Sequence, residues 1–192
     1  MEIKNLVKIY DEVLPWENIS SLIKFSSSSP AFQKASIGGS VNSGPTVDFN
    51  VRRTWTLRLS NLENSLTNVH WFNFLANQFD LNIKRYIKDL NIDHLNYQII
   101  NDITVLKYEN TGFYNWHTDH FAQAPRTLSC ILLLNNDYEG GNLCFRNPDK
   151  SDEWQVEVKP NRMIIWPSCF MYPHTVKSVT KGTRYSVVAW AL

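Results

Sequence analysis

The sequence has no apolar stretch long enough to span a bilayer, and its first residues, Met1-Glu2-Ile3-Lys4-Asn5, carry charge where a secretory leader needs an apolar run. A cytoplasmic protein that touches no membrane is the expectation. An excess of charge of one sign is missing too. Lysine and arginine total 19 against 18 acidic residues, a net charge of +1, so nothing draws the chain toward nucleic acid over long range. Cysteine is scarce. Cys130, Cys144 and Cys169 form no CxxC pair and are odd in number, which fits reduced, buried thiols rather than a disulfide framework. There is no internal repeat, and no Pro-, Gly- or Ser-rich linker separates two halves. The 192 residues therefore suit one domain, residues 1–192, with a proper core.

What the sequence does have is aromatic side chains, 13% of residues, within a hydrophobic share of 43%. These must fill a core, a pocket, or both. Ile19, Leu22 and Ile23, following Pro15, have helical spacing. Ala35 to Asp48 is small, polar and Gly-containing and reads as a mobile loop; its Gly38 to Asp48 portion is a candidate lid over a bound peptide. Val51 to Leu59 alternates apolar and polar residues, as a strand does. Leu66, Val69, Phe72, Leu75, Phe79, Ile83 and Ile87 share one face of a longer helix, with Asn64 or Ser65 as its cap.

Beyond Tyr97 the texture changes to short β-type runs: Ile99 to Tyr108, Thr127 to Leu134, Asn142 to Arg146, Trp154 to Val158, Met163 to Trp166 and Tyr185 to Trp190. Turn residues such as Glu139-Gly140-Gly141 and Lys159-Pro160-Asn161 separate them. Many short strands at this spacing predict an antiparallel sandwich or barrel. The expected fold class is mostly β with N-terminal helices, α+β overall. Residues 1–95 would give helical support and a substrate loop, and residues 96–192 the β core with a metal site.

Metal chemistry is suggested by His117 and Asp119, two apart in Tyr114-Asn-Trp-His-Thr-Asp119. On a strand, residues i and i+2 point the same way. An HxD pair arises by chance in about one such sequence in four, so the pair needs company. His174 offers a third ligand. Two imidazoles and a carboxylate on one face of a metal leave positions open for a chelating co-substrate and O2, the arrangement of non-haem iron(II) oxygenases. Arg184 follows His174 by ten positions, and a buried guanidinium there offers a planar fork for a carboxylate.

Together these motifs resemble the 2-oxoglutarate- and iron(II)-dependent dioxygenases of the prolyl 4-hydroxylase type. The resemblance runs from Leu106 to Trp190 and includes Leu106-Lys-Tyr108, Gly112-Phe-Tyr114-Asn-Trp-His117-Thr-Asp119, Arg126 to Asn135, Gly140-Gly141-Asn-Leu143, Pro160, His174 and Arg184. Residues Phe49 to Thr54 are similar to the family's N-terminal strand and substrate-covering loop.

The resemblance implies a double-stranded β-helix (jelly-roll) core. It implies that His117, Asp119 and His174 bind Fe(II), that Arg184 pairs with the distal carboxylate of 2-oxoglutarate, and that Tyr108 donates a hydrogen bond to it. Leu143 and Leu133 would line the co-substrate pocket. Tyr114, Arg126, Trp190 and Arg53 would meet the substrate, a proline-containing peptide or protein. The reaction would consume O2 and release succinate and CO2, with ascorbate left open as a further requirement. Tyr114, Trp116, Trp166 and Trp190 are the aromatics expected to keep water from the centre. His120 is expected to be a surface imidazole.

Two rival readings remain at this point. One is an oxygenase acting on a free amino acid or another side chain; the other is a metal-binding jelly roll without turnover. A nucleic-acid demethylase fits less well, because Trp190 stands where those relatives usually carry a second arginine, six after the first.

Overall fold

The computed structural model describes residues 2–38, 44–60, 65–97, 102–122 and 125–192. In chain order the elements are β1 (Lys8–Asp11), α1 (Trp16–Ser28), β2 (Gln33–Lys34), β3 (Arg52–Arg53), β4 (Trp55–Arg58), α2 (Leu66–Leu90), β5 (Thr104–Tyr108), β6 (Phe113–His117), β7 (Leu128–Leu133), β8 (Glu139–Gly140), β9 (Leu143–Arg146), β10 (Glu153–Gln155), β11 (Arg162–Pro167), β12 (His174–Val176), β13 (Val179–Lys181) and β14 (Arg184–Ala191).

Two antiparallel sheets carry the fold. The larger has seven strands in the order β1-β11-β7-β14-β5-β4-β2; the smaller has five, β10-β9-β12-β6-β3. The period-2 alternation of the large sheet sorts its side chains into two cores. On one face, Val105, Cys130, Leu132, Met163, Ile165, Val187 and Ala189 pack with Ile19 and Leu22 of α1 and with Leu75, Phe79 and Ile83 of α2. On the other, Leu106, Tyr108, Ile131, Leu133, Ile164, Trp166 and Val188 pack against Leu143, Phe145 and Val176 of the small sheet. The result is a jelly roll buttressed by helices on one side. Its inner face is lined by the even positions of β5 and β14 and the odd positions of β7.

Both helices match their sequence patterns. Ser65 caps α2, its side chain accepting from the Asn68 amide at 3.2 Å, and Asn91 ends it in the left-handed conformation. Asn64 lies outside the described residues. All three cysteines are free; Cys130 and Cys144 are buried and Cys169 half-buried. Among the described residues no helix is long and apolar enough to cross a membrane.

Three features depart from the sequence reading. Val51 to Leu59 is not one strand. It breaks at the buried Thr54, so β3 joins the small sheet beside β6 while β4 joins the large sheet beside β5. The first 95 residues supply four strands as well as both helices. One of them, β1, forms an edge of the large sheet against β11, where Asp11 and Arg162 are register partners. The Arg162 Nε and Nη2 donate to the Asp11 carboxylate at 2.7 and 3.0 Å, and this pairing holds the Asp11 carboxyl below its ordinary range, at about 2. A four-residue strand with half its residues polar gives too short a pattern to read from sequence.

Candidate active site

His117 ends β6, and Asp119 follows it in the turn beyond the strand. The two side chains converge, but strand alternation is not the cause. His174, at the start of β12, is the register partner of His117, while Val176 pairs with Tyr114. Asn115 and Trp116 thus both face Thr175, a β-bulge that re-aims the end of β6. Because of it, Tyr114 and His117 both point inward, and their rings stack at 3.6 Å between centroids. Trp116 is turned off the cavity, under Arg146 and Lys177 at 4.2 and 5.2 Å.

The His117, Asp119 and His174 ligand atoms all lie within 4.8 Å of one another. His117 Nε2 is 3.7 Å from Asp119 Oδ1, and His174 Nε2 is 3.5 Å from Asp119 Oδ2. Each imidazole is oriented from behind. His117 Nδ1 is 2.8 Å from the Asn115 carbonyl and His174 Nδ1 is 3.0 Å from that of Tyr172. Those contacts suit Nδ1–H donors, which leaves both Nε2 lone pairs for a metal. The Asp119 carboxylate accepts from Ser129 Oγ at 2.7 Å, and Ser168 Oγ lies 2.7 Å from the same hydroxyl. Trp166 packs edge-on to His174, 5.0 Å between centroids.

Protonation states also favour metal binding. Burial, reinforced by His174, pushes the His117 imidazole well below its ordinary pKa of 6.5, so the ring is neutral. Burial alone would raise the Asp119 carboxyl. The neighbouring imidazoles of His174 and His117, the Ser129 hydroxyl and Arg126 outweigh it and keep the group ionised. Neutral imidazole and ionised carboxylate are the ligating forms. Ser129→Ala is therefore expected to weaken metal affinity about 10- to 100-fold without removing a ligand. Titration with Mn(II) followed by calorimetry checks this, and an unchanged affinity would show that Ser129 does not orient Asp119.

A cavity of about 230 Å³ opens over the three ligands. Tyr108, Leu143, Tyr114, Arg126, Trp166 and Trp190 are in its wall. Arg184 lies against Tyr108, its strand-register partner, with the guanidinium carbon 5.0 Å from the ring centre. It is fully buried, and Nη1 donates to Ser186 Oγ at 2.9 Å; among the described residues Nε and Nη2 have no hydrogen-bond partner. A buried cation without a counter-charge is costly, so this geometry calls for an anion. The donor set fits a carboxylate, as the three ligands fit iron(II). Leu133 is buried in the same inner core but is not part of the cavity wall.

At the mouth, the Arg126 guanidinium lies 3.6 Å over the Trp190 ring, and its Nη1 is 3.9 Å from Asp119 Oδ1. Arg53 sits outside the cavity, where its Nη1 donates to Thr111 Oγ1 at 2.9 Å. The arginine of β3 that does line the wall is Arg52, stacked on Tyr114 at 4.5 Å and donating to the Ser36 carbonyl. Adjacent arginines on a two-residue strand face opposite ways, and nothing in the sequence says which faces in. His120 is exposed, as expected, though Nδ1 meets the Arg126 carbonyl at 2.9 Å. The stems of the Gly38 to Asp48 segment border the cavity through Gly38 and Pro45, and Ile37 pairs with Thr46 in a β-bridge; residues 39–43 lie outside the described residues.

The sequence model of the 2OG-Fe(II) oxygenase superfamily matches residues 103–192, the segment that carries all three ligands and Arg184. Human prolyl 3-hydroxylase 2 is 41% identical over 70 residues, 36% of this chain and 10% of that protein. A PKHD-type hydroxylase of Crocosphaera subtropica is 29% identical over 98 residues, 47% of this chain and 42% of that protein. The chain thus spans less than half the length of these curated relatives. Among solved structures, a Trichoplax adhaerens prolyl hydroxylase, in complex with a hypoxia inducible factor oxygen degradation domain peptide fragment, superimposes with a TM-score of 0.77 at 18% identity. That superposition covers 98% of this chain and 84% of the other, so the oxygenase fold extends through the N-terminal helices and strands.

Proposed function

We propose that this chain is a 2OG-Fe(II) oxygenase that hydroxylates prolyl residues in a peptide or protein, consuming 2-oxoglutarate and O2. The observation that carries the reading is the buried, half-unpaired Arg184, which does not itself line the cavity but packs on Tyr108 of its wall, together with the His117-Asp119-His174 cluster in that same wall. A structural metal site has no need of a buried guanidinium prepared for a carboxylate. The prolyl substrate is supported by the names of the relatives, and a peptide by the cavity's opening beneath Arg126, Trp190 and the loop stems.

His117, Asp119 and His174 would hold the iron(II), and Arg184 the distal carboxylate of the 2-oxo acid. Iron(II), when bound, supplies the dioxygen chemistry that couples decarboxylation of the 2-oxo acid to hydroxylation of a C–H bond. The protein's own contribution is geometric and electrostatic. Ser129 and the two backbone carbonyls fix the ligand atoms. Trp166, Tyr114 and Leu143 wall the centre with apolar surface and keep water out. The Arg126 guanidinium, held flat on Trp190, presents N–H donors at the mouth to a substrate carbonyl.

Incubation with Fe(II), 2-oxoglutarate and a library of proline-containing peptides tests the proposal. Peptide-stimulated succinate and a peptide gaining one oxygen at proline are expected, with fragmentation assigning the ring carbon. Hydroxylation confined to free amino acids or to other side chains would overturn the prolyl assignment.

Acid should weaken the metal-free fold. A neutral buried His117 binds its proton less readily folded than unfolded. Unfolding therefore takes up a proton below pH 6.5, and stability falls as pH drops through that value. Asp119 adds a second loss below its ordinary value of 3.8, because its folded carboxyl titrates lower. Thermal melts of metal-free protein between pH 7.5 and 5 should show a falling Tm, with a shallower slope in His117→Gln. Identical slopes would show that His117 is not held neutral.

A further inference from the structure

We propose that the substrate is an acidic peptide, with aspartate or glutamate close to the residue that reacts, and that Arg58, supported by the charges of Arg52 and Arg126, recognises those carboxylates. The inference rests on the peptide part of the reading above and gives that peptide a charge. Arg52, Arg58 and Arg126 all line the cavity, and among the described lining residues the one carboxylate is Asp119. Asp119 is committed to the ligand cluster. With iron(II) and a dianionic 2-oxo acid in place, the charges of metal, co-substrate, Asp119 and Arg184 cancel. The three wall arginines are then left without a balancing charge. The chain as a whole carries a net charge of only +1, so this excess is local to the cavity. A cleft lined by one sign of charge between apolar walls focuses its field and draws in a ligand of the opposite sign.

The fold places the three cations around one opening. Arg52 is stacked on Tyr114, with Nη1 donating to the Ser36 carbonyl at 3.2 Å. Arg126 lies flat on Trp190, and its Nη1 is 3.9 Å from Asp119 Oδ1. Aromatic faces and carbonyls hold these groups in position without neutralising them. Arg58 comes from β4, where Thr56 and Arg58 are in the cavity wall while Leu57, between them, packs in the core against the helices. Its register partner is Thr104, at the opposite end of β5 from Tyr108. Four residues of strand separate Thr104 from Tyr108, about 13 Å along the inner face. Arg58 therefore stands at the outer end of the cavity, and it is exposed. The acidic residue nearest in sequence to Thr104 is Asp102, which accepts from Thr104 Oγ1 at 3.0 Å and lies outside the wall.

The type of cation matters as well as the number. All three are arginines, whose planar fork matches a carboxylate through two parallel hydrogen bonds. An extended peptide advances about 3.3 Å per residue, so side chains within about four positions of the reacting residue come within reach of Arg58. Nucleic acid is a poorer fit, because these cations surround a cavity of about 230 Å³ and do not form a stripe across an open face.

The test uses one proline-containing peptide made in three forms, with the residues flanking proline all Asp, all Asn or all Lys. Binding to protein loaded with Mn(II) and 2-oxoglutarate is measured by oxygen-free calorimetry, and hydroxylation is measured separately with Fe(II) in air. The Asp form is expected to bind roughly 10-fold tighter than the Asn form at low salt, the sum of a few partly exposed ion pairs, with the Lys form weakest. At about 1 M salt the Asp advantage should fall below about threefold, because screening is then nearly complete. Arg58→Glu should keep the wild-type Tm, since the residue is exposed, and should cut the Asp-to-Lys affinity ratio at least about fivefold by putting like charges together. Equal wild-type affinity for the three forms overturns the proposal and leaves prolyl hydroxylation standing. An Arg58→Glu variant that shifts all three forms equally also overturns it, as does tighter binding of a single-stranded oligonucleotide than of the Asp form. Preference for the Asp form with no oxygen added at proline supports the acidic peptide and overturns the prolyl assignment instead.

Discussion

Replacing Arg184 with Met is expected to destroy 2-oxoglutarate binding while raising the stability of the ligand-free protein. Both effects follow from one fact: the guanidinium is fully buried with Nε and Nη2 unpaired. An unpaired buried charge opposes folding, and replacing buried ionic groups with apolar ones of similar volume is often neutral or stabilising by about 1–4 kcal/mol. Met is unbranched and adaptable enough to fill the same channel beside Tyr108. For a chain of this size each kcal/mol is worth roughly 2–4 °C, so the ligand-free Tm should rise by several degrees. With co-substrate the sign reverses. Truncating one partner of a buried, hydrogen-bonded charge pair costs about 2–5 kcal/mol, a loss of at least about 30-fold in affinity. Calorimetry and thermal melts on the same two proteins read both effects. Unchanged 2-oxoglutarate affinity would remove Arg184 from the site. A clear drop in ligand-free Tm would show that its charge already has a structural counterpart.

His174→Ala should abolish both metal binding and turnover. His174 is 5% exposed, wedged between Trp166, Phe145 and His117, and is one of three ligands. A structural metal site of four ligands supplies about 10–16 kcal/mol, so one ligand of the set accounts for roughly 3, or more than about 100-fold in affinity. The truncation also leaves a cavity, so the folded fraction must be measured alongside by circular dichroism. Folded His174→Ala that still binds Mn(II) tightly, or still makes succinate, would refute the ligand assignment.

The parts of this fold with strong period were readable from the sequence. The seven apolar positions from Leu66 to Ile87 mark α2, and the β-type runs at Thr127 to Leu134, Met163 to Trp166 and Tyr185 to Trp190 fall close to β7, β11 and β14. Short elements were not readable. The strands β1, β3 and β12 have two to four residues each, too few for a pattern to stand out. The switch of sheets at Thr54 is a long-range event that local sequence does not encode.

The site divides in the same way. Spacing and family resemblance mark His117, Asp119, His174 and Arg184; the structure gathers the first three in one cluster, and Arg184 packs on Tyr108, a residue of the cavity wall, without lining the cavity itself. The bulge at Asn115 and Trp116 is not legible in the sequence, nor is the end of β6 at His117, which places Asp119 beyond the reach of strand alternation. Ser129 and Ser168, which orient Asp119, are ordinary serines in sequence and gain their role only when three segments meet. Arg52 is of the same kind.

The central claim is that metal and 2-oxo acid meet in one cavity and drive hydroxylation of a prolyl residue. Mass spectrometry of a proline-containing peptide after reaction under 18O2, with Fe(II) and 2-oxoglutarate, tests it most directly. The account predicts one 18O atom on a proline ring and a second in succinate, both lost in His174→Ala. Succinate formed with no labelled proline in any peptide would contradict the prolyl claim, and no consumption of 2-oxoglutarate by iron-loaded protein would contradict the account as a whole.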